Sequence, residues 1–210
     1  MIKVLIADDH PVVRLGLRQI LADSRDIHVG RDVSSADEVL GAVREERWDV
    51  VVLDISLRDG NGIELIGEIR KVRPETRVLI LTVHPEEQYA VRAIKAGASG
   101  FLNKESAPDR LTDALHKIAE GGRYVSAELA ETLASLVAGE AHGQPHERLS
   151  DREFEILKLL ASGKTVSQAA LELGLSVKTI STHRTRILKK MDMKTNAELT
   201  HYAVKRGLVS

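Results

Sequence analysis

The segment Val50–Leu53, followed at once by Asp54, constrains the fold of this chain more than any other stretch of it. Four consecutive apolar residues, three of them valines, predict a short strand that is buried on both faces, as in parallel sheets. Gly60 and Gly62 then follow in a polar loop. Because ligands bind beyond the carboxyl ends of the strands in open α/β sheets, Asp54 lies where a functional group is expected.

The same unit, a short apolar segment followed by an amphipathic helix, occurs five times within the first 121 residues. The predicted strands are 2–7, 28–33, 50–54, 78–82 and 100–102. The predicted helices are one that begins at Pro11 and four more at 35–46, 61–72, 85–96 and 108–120. The first helix is predicted to bury Val12, Val13, Leu17, Ile20 and Leu21. This alternation predicts an α/β fold with a doubly wound, five-stranded parallel sheet of flavodoxin-like topology.

Polar side chains follow the predicted strands at one edge of this sheet. Asp8 and Asp9 follow the first strand, Asp54 ends the third, Thr82 ends the fourth and Lys104 lies just beyond the fifth. Three carboxylates repel one another unless a cation holds them, and Mg²⁺ prefers such oxygen ligands. A carboxylate beside a metal can act as a nucleophile toward phosphorus, while the lysine and the metal neutralise charge on the transferred group.

The set formed by Asp8-Asp9, Asp54, Thr82, Phe101 and Lys104 resembles the receiver domain of two-component response regulators. The resemblance implies that Asp54 accepts phosphate from a sensor histidine kinase and that Asp8 and Asp9 hold Mg²⁺ together with it. It also implies that Lys104 bridges to the phosphoryl group and that Thr82 and Phe101 form a switch pair. Two loop residues depart from the pattern, since many receivers have proline where Arg58 and Glu105 stand.

Other readings of the same residues are less consistent with the sequence. A phosphatase of the haloacid dehalogenase type needs a second acid two residues after its nucleophilic aspartate, and Ser56 occupies that position. A dinucleotide-binding G-x-G-x-x-G loop fails because residue 65 is leucine. His142 and His146 have ligand-like spacing without further ligands nearby, so we predict solvated linker histidines. Ser56 and His84 flank the predicted pocket, where they can set the lifetime of the phosphate.

Composition and charge bound the remaining possibilities. The 210 residues include no cysteine, which excludes disulfides, thiolate catalysis and cysteine-bound zinc. No apolar run approaches the ~18 residues needed to span a bilayer, so we expect no membrane partner and a cytoplasmic location. The net charge of −1 conceals a balance of −6 over residues 1–146 and +5 over residues 147–210. This asymmetry suggests two domains with different partners, the second favouring a polyanion.

The tail carries a different pattern, a series of short helices with capping signals. Residues 126–138 form an amphipathic helix, and the polar, glycine- and proline-containing segment 139–147 is the predicted linker. Capping boxes that begin at Ser150, Thr165 and Thr195 open three helices, and Ser176 caps another. Gly174 and the residues around it form a tight turn between two of these helices, which is typical of a helix-turn-helix.

The helix that follows Ser176 is predicted to be amphipathic. At about 100° per residue its apolar face contains Val177, Ile180, Ile187, Leu188 and Met191. The opposite face presents lysines for DNA phosphates and small hydroxyls for base edges or thymine methyl groups. The residues assigned to that face are Lys178, Ser181, Thr182, Thr185 and Lys189. Arg186 lies on the flank of this polar face and is predicted to contact a DNA phosphate. Arg184 projects near the apolar side, from which its long side chain can extend to a DNA phosphate.

Three segments of the tail resemble the LuxR-type DNA-binding domain: Leu149-Ser150-x-Arg152-Glu153, Leu175-Ser176-x-Lys178-Thr179-Ile180-x-x-His183 and Ile187-x-x-Lys190-Met191. With the receiver, the whole chain resembles a NarL/FixJ-family response regulator. We therefore expect a receiver at 1–121, a connector at 122–147 and a four-helix DNA-binding domain at 148–210. The resemblance implies a phosphorylation-switched regulator, not an enzyme in the usual sense, that binds double-stranded operator DNA as a homodimer. A DNA-binding protein whose receiver is a passive dimerisation domain remains the alternative.

Overall fold

The protein forms two compact units, Met1–Ser135 and Leu136–Ser210. The structure, a computed structural model, describes residues 1–137 and 144–209. The predicted linker residues 139–143 and the predicted last residue of the connector helix, Ala138, lie outside the described residues. Among the described helices, none is both long enough and apolar enough to cross a membrane.

The first unit is built on a five-stranded parallel sheet. Its strands are β1 (Ile2–Ala7), β2 (Ile27–Val33), β3 (Val50–Leu53), β6 (Arg77–Thr82) and β7 (Gly100–Asn103). They lie in the order β2-β1-β3-β6-β7 and every neighbouring pair is parallel. This arrangement confirms the predicted flavodoxin-like topology, and it places the central strand β3 with a neighbour on each side.

Helices cover both faces of the sheet. They are α1 (Pro11–Ala22), α2 (Ala36–Glu45), α3 (Gly62–Val72), α4 (Glu86–Ala96) and α5 (Ala107–Ala119), and α6 (Ala127–Val137) follows. On one face, alternate residues of β1, β3 and β6 pack against α1 and α5 in a single buried cluster. Successive residues of β3 point to opposite faces of the sheet, and all four are buried, which explains why β3 is apolar throughout.

The prediction that Val12 faces the core is wrong. Its side chain is 82% exposed, whereas Leu17 and Leu21 are buried. At about 100° per residue, Val12 lies roughly 140° around the helix from Leu17, so a sheet on one side cannot cover both. Val13 and Ile20 lie between these extremes and are half-buried.

A small antiparallel hairpin follows Asp54 and was not expected from the sequence. Its strands are β4 (Ser56–Leu57) and β5 (Gly60–Asn61), joined by a two-residue turn at Arg58 and Asp59. The Asp59 carboxylate accepts hydrogen bonds from the amides of Ala36 at 2.6 Å and Asp37 at 3.2 Å, at the start of α2. These are amides that the helix itself cannot satisfy, so the turn also caps α2.

The second unit contains the four predicted helices, α7 (Asp151–Ala161), α8 (Val166–Glu172), α9 (Val177–Met191) and α10 (Asn196–Lys205). The capping boxes at Ser150 and Thr165 are confirmed, as is the cap at Ser176. The box at Thr195 is only half correct. Thr195 accepts from the amide of Glu198, but the Glu198 side chain accepts from the amide of Lys194 instead of closing the box.

His146 is not the solvated linker residue that its surroundings in the sequence predict. It lies in a 3₁₀ turn, Pro145–Arg148, and its Nδ1 is 2.7 Å from the hydroxyl oxygen of Tyr202 on α10. Its ring also stacks on Phe154 of α7, with the ring centroids 5.6 Å apart. The segment just before α7 is therefore packed against the helical unit, because it carries an aromatic ring with two partners there.

Candidate phosphoryl-transfer pocket and nucleic-acid interface

The strand register brings the predicted pocket residues to one edge of the sheet. Ala7, the last residue of β1, pairs with Leu53, the last residue of β3. Asp8 and Asp54 therefore leave the sheet side by side, and the Asp54 amide donates to the Ala7 carbonyl at 2.9 Å. The parallel direction of the strands is what makes these chain ends meet.

Lys104 joins the two carboxylates. Its Nζ lies 2.6 Å from Asp8 Oδ2 and 2.7 Å from Asp54 Oδ2. The Asp8 and Asp54 side chains are 2% and 4% exposed, and that of Lys104 is 12% exposed. Since a charge is stable in the interior only when it is paired, this bridge is a central feature of the pocket.

The protonation tendencies of the pocket indicate a shortage of positive charge. Burial raises the pKa of Asp54, the Lys104 ammonium opposes this rise, and the neighbouring Asp8 adds to it, so that the pKa stays above its usual value. Burial by itself lowers the pKa of Lys104, but Asp54 and Asp8 outweigh it and raise the pKa. Both raised pKa values mean that the pocket holds protons more tightly than usual, because its negative charge is not fully balanced. A bound cation would balance the same negative charge.

The carboxylates form a group that fits a divalent cation. Asp8, Asp9, His10 and Asp54 each contribute one ligand atom, and these atoms lie within 4.8 Å of one another. Among the described residues, Asp54 Oδ1 is buried without a hydrogen-bond partner, whereas Asp9 Oδ1 lies 2.6 Å from His10 Nδ1. Buried oxygens of this kind ordinarily have a partner, and a metal ion provides one.

The two predicted switch residues lie in β6 and β7. Thr82 is fully buried at the end of β6, and its Oγ1 accepts a hydrogen bond from the amide of His84 at 3.3 Å. Phe101, in β7, is 2% exposed, so its ring is part of the core in this structure. Ser56 Oγ and His84 Nε2 are 2.9 Å apart, so the two residues predicted to flank the pocket contact each other.

The two departures from the receiver pattern are accommodated in loops. Arg58 is exposed in the β4–β5 turn. The Glu105 amide donates to Asn103 Oδ1 at 2.9 Å and so begins the 3₁₀ turn that carries Lys104. Proline has no amide hydrogen and could not make this bond. The hydrogen bond therefore explains why a residue other than proline fits at position 105.

Two residues outside the predicted set support the pocket. Arg14 Nη1 donates to the Asp8 carbonyl at 2.6 Å, and its Nε donates to Asp32 Oδ2 at 3.0 Å. At Gly62, a Cβ atom would lie 2.1 Å from the Asp54 carbonyl oxygen, so only glycine fits. A glycine soon after Asp54 was the only sequence signal for either contact, because ion pairs such as Arg14–Asp32 have no local pattern.

In the second unit, most of the residues predicted to meet DNA are exposed on one helix. Six of the seven are exposed on α9: Lys178, Ser181, Thr182, Thr185, Arg186 and Lys189. Ile180, Ile187 and Met191 are buried on the opposite side, as predicted. The prediction for Val177 is wrong, since it is 50% exposed. It is the first residue of α9.

Arg184, the seventh, has a partner within the protein. Its Nε donates to Asn196 Oδ1 at 2.7 Å, and it is half-buried. This contact joins α9 to the start of α10. On the other side of α9, Lys190 Nζ lies 2.6 Å from Oε2 of the buried Glu153, which belongs to the capping box of α7. Polar contacts therefore hold both flanks of the helix to its neighbours.

Two family models match the chain, one for each unit. The response regulator receiver domain matches residues 4–116, and the luxR family of bacterial regulatory proteins matches residues 147–203. The response regulator UvrY of Escherichia coli K12 is 34% identical over 209 residues, covering 99% of this chain and 96% of UvrY. The chain belongs to the NarL/FixJ family of response regulators.

Further relatives agree with this assignment. The oxygen regulatory protein NreC of Staphylococcus haemolyticus is 35% identical over 214 residues, covering 99% of both chains. A structure of RcsB from Salmonella enterica serovar Typhimurium, bound to a promoter in the presence of the phosphomimetic BeF₃⁻, is 27% identical with a TM-score of 0.60. It covers 96% of this chain and 97% of RcsB. This response regulator thus combines a receiver domain with a LuxR-type DNA-binding domain.

Proposed function

We propose that this response regulator is a transcription factor switched by phosphorylation of Asp54, with a sensor histidine kinase as the phosphoryl donor. The observation that carries the proposal is the buried Lys104 ammonium between Asp8 and Asp54, in a group that still favours more positive charge. We assign residues 1–121 to the receiver, 122–147 to the connector and 148–210 to the DNA-binding domain.

The carboxylates of Asp8, Asp9 and Asp54 are the residues that would hold Mg²⁺. When bound, the ion would supply positive charge to the phosphoryl oxygens during transfer. The fit rests on their grouping within 4.8 Å and on the buried Asp54 Oδ1, which accepts no hydrogen bond among the described residues. The proteins of this family are not enzymes in the usual sense, but we propose that this pocket promotes its own phosphorylation by small donors and its own dephosphorylation.

The chain supplies the nucleophile and part of the charge balance for transfer. An Asp54 carboxylate oxygen attacks phosphorus, an O–P bond forms, and the P–N bond to the kinase histidine breaks with the electron pair leaving on the imidazole. Lys104, 2.7 Å from Asp54 Oδ2, remains near the new phosphoryl group as a counter-charge. Thr82 at the end of β6 provides a hydroxyl for a phosphoryl oxygen.

The switch follows from the added charge. A phosphoryl group adds about −1.5 to −2 charges at neutral pH. Drawing the Thr82 hydroxyl toward it breaks the contact with the His84 amide and vacates space near Phe101. To reverse a 1:99 balance between two states, phosphorylation must favour the active state by about 5.5 kcal/mol. We propose that this energy drives homodimer formation.

The exposed face of α9 is the proposed contact with double-stranded DNA. Lys178, Arg186 and Lys189 serve phosphates, while Ser181, Thr182 and Thr185 face base edges. For Arg184 the bond to Asn196 supports two roles. Its Nε holds α9 against α10, and its other guanidinium nitrogens are available to a phosphate. The RcsB structure with promoter DNA supports the same use of this domain here.

The test is operator binding as a function of acetyl phosphate and Mg²⁺, with DNA selected from a random pool. We expect the donor to tighten binding by about 5- to 150-fold, the usual range of allosteric coupling. Asp54→Ala should abolish the tightening, whereas Asp37→Ala, which removes an exposed carboxylate on α2, should preserve it. Equal, salt-sensitive binding by wild type and Asp54→Ala would contradict the proposal and favour a receiver that only dimerises.

A further inference from the structure

A serine and a histidine contact each other just beyond the sheet edge that carries Asp54. Ser56 Oγ and His84 Nε2 lie 2.9 Å apart. Ser56 is exposed, whereas the Asp54 side chain is only 4% exposed. A hydroxyl within hydrogen-bond distance of an imidazole has the arrangement of a nucleophile with its general base. The proposed transfer of phosphate from the kinase to Asp54 does not use this pair.

The strand register places the pair next to Asp54. Leu53, the last residue of β3, pairs with Ile80 of the parallel strand β6. The chain therefore leaves both strands at the same edge of the sheet, and the segments that follow reach Ser56 and His84. Two residues of chain span at most about 7 Å, so the Ser56 backbone lies within that distance of Asp54. The serine is thus close enough to meet a group carried by the aspartate.

Contacts with the core of the receiver orient the imidazole. The His84 ring lies against that of Tyr89, with the ring centroids 4.7 Å apart. Tyr89 belongs to α4 and is 6% exposed, so it is a fixed support. The ring contacts with Ser56 and Tyr89 do not involve Thr82, which the proposed switch draws toward the phosphoryl group. A base that a third residue holds in place is the usual arrangement for activating a hydroxyl nucleophile.

We propose that the receiver transfers the phosphoryl group a second time, from Asp54 to Ser56, with His84 as the general base; this inference rests on the proposed phosphorylation of Asp54. His84 Nε2 takes the proton from Ser56 Oγ as that oxygen attacks phosphorus. The Oγ–P bond forms, and the O–P bond to Asp54 breaks with its electron pair returning to the carboxylate. The leaving carboxylate is buried and the attacking hydroxyl is exposed, so they flank phosphorus from the inner and outer sides, as an in-line displacement requires.

The product would be a longer-lived modification with the opposite effect on signalling. An acyl phosphate is a mixed anhydride that hydrolyses readily, whereas a serine phosphate is a stable ester. A phosphate on Ser56 carries about −1.5 to −2 charges at neutral pH. Because this charge lies beside the carboxylates of the pocket, it opposes a second phosphorylation of Asp54. The receiver would thus retain a record of one signal and respond less to the next.

The experiment follows phosphate on the full chain after acetyl phosphate and Mg²⁺ are added, by mass spectrometry of its peptides. Hydroxylamine removes acyl phosphate from Asp54 and leaves a phosphate ester on Ser56. We expect hydroxylamine-resistant phosphate to accumulate on Ser56 after Asp54 is labelled, and to be absent from Asp54→Ala and from Ser56→Ala. In His84→Gln, which keeps a hydrogen-bonding side chain but no base, the transfer rate relative to phosphate on Asp54 should fall about 10²- to 10⁴-fold.

Ser34→Ala is the matched control. Ser34 follows β2 at the same edge of the sheet, but its hydroxyl donates to Glu38 Oε2 at 3.2 Å and does not contact an imidazole. This variant should form phosphate on Ser56 at the wild-type rate. Because every rate is referred to the phosphate on Asp54 in the same sample, a variant that merely folds poorly is distinguished from one that has lost the second transfer.

Three results would overturn the second transfer and leave the proposed function intact. The first is a labelled Asp54 that loses all its phosphate to water, with none on Ser56. The second is resistant phosphate on Ser56 in Asp54→Ala, which would mean that the donor reacts with the serine directly. The third is an unchanged relative rate in His84→Gln. If Asp54 of the wild type is not labelled at all, the proposed function fails, and the second transfer fails with it.

Discussion

Single residues hold the pocket in place through contacts with backbone atoms. Gly62 lies so close to the Asp54 carbonyl that a side chain has no room, and Arg14 binds the carbonyl of Asp8. Both contacts act on the chain immediately beside a predicted ligand. The pocket therefore depends on neighbouring residues that are not predicted to take part in the chemistry. Small substitutions of these residues should lower the stability of the receiver.

Gly62→Ala tests this dependence. The added methyl group would meet backbone atoms of Asp54 and Ile55, which cannot move aside as a flexible side chain can. We expect the receiver to lose about 1–3 kcal/mol of stability, the usual cost of overpacking. Urea unfolding followed by fluorescence of Trp48, the single tryptophan, measures it. Gly67→Ala, in the same helix with nothing near its Cβ position, should cause no loss.

The threonines of α9 allow a prediction about base recognition. The hydroxyls of Thr182 and Thr185 donate to the carbonyls of Lys178 and Ser181 at 3.0 and 3.1 Å, so they offer DNA a methyl group and lone pairs. If the methyl group reads thymine, Thr182→Val should retain affinity for the selected operator and Thr182→Ser should lose about 1 kcal/mol or more. Operators carrying deoxyuridine in place of thymine provide the matching DNA control. A strong loss in Thr182→Val would contradict the prediction.

At the scale of elements, caps and ion pairs determine how the helices of the tail are held together. The Glu153 side chain accepts from the Ser150 amide at 2.8 Å and binds Lys190 at 2.6 Å, so one carboxylate caps α7 and joins it to α9. Burial raises the pKa of Glu153, but Lys190 and Ser150 outweigh it, and the pKa falls below its usual value. The ionised form is thus favoured in the folded protein.

This lowered pKa predicts a pH dependence. Glu153 stabilises the helical unit above the ordinary glutamate pKa of about 4.3, and this contribution is lost as pH falls through the lower folded value. Glu153→Gln should cost about 1–2 kcal/mol at pH 7 and progressively less below about pH 4.3. Urea unfolding followed by helical circular dichroism measures the difference. A cost that stays constant with pH would refute it. Glu155→Gln, which affects a surface pair with Arg152, is the control.

At the scale of the whole molecule, two units with different chemistry are joined in one chain. The first carries a buried acidic pocket and the second an exposed basic helix, in agreement with charge balances of −6 and +5 on the two sides of residue 146. The excess of carboxylates over lysine in the pocket disfavours the fold when no cation is present. Ligand binding and stability of the receiver should therefore be linked.

We expect Mg²⁺ to raise the melting temperature of the receiver transition in full-length protein. An ion present at 100 times its Kd stabilises the folded state by about 2.7 kcal/mol. The raised pKa of Asp54 means that its buried charge opposes folding at neutral pH, so Asp54→Asn should match or exceed wild-type stability without Mg²⁺ and lose most of the Mg²⁺ effect. Scanning calorimetry distinguishes this from a nonspecific salt effect when Na⁺ is used at equal ionic strength.

The sequence by itself determined the order and type of the main elements and the composition of the pocket. Periodic burial, glycine and proline punctuation and capping residues act locally, so the five strand–helix units and the four tail helices could be recognised. The apolar β3 followed by Asp54 indicated the edge where the pocket forms, because parallel strands bring their carboxyl ends together.

Only the tertiary structure decided which atoms meet. The bridge from Lys104 to Asp8 and Asp54 and the packing of His146 against Phe154 and Tyr202 connect residues distant in the chain. Such contacts depend on strand register and helix packing and leave no periodic signal. The exposure of Val12 was likewise decided by tertiary structure. Its apolar side chain predicts burial, but it lies on a side of α1 that the sheet does not cover.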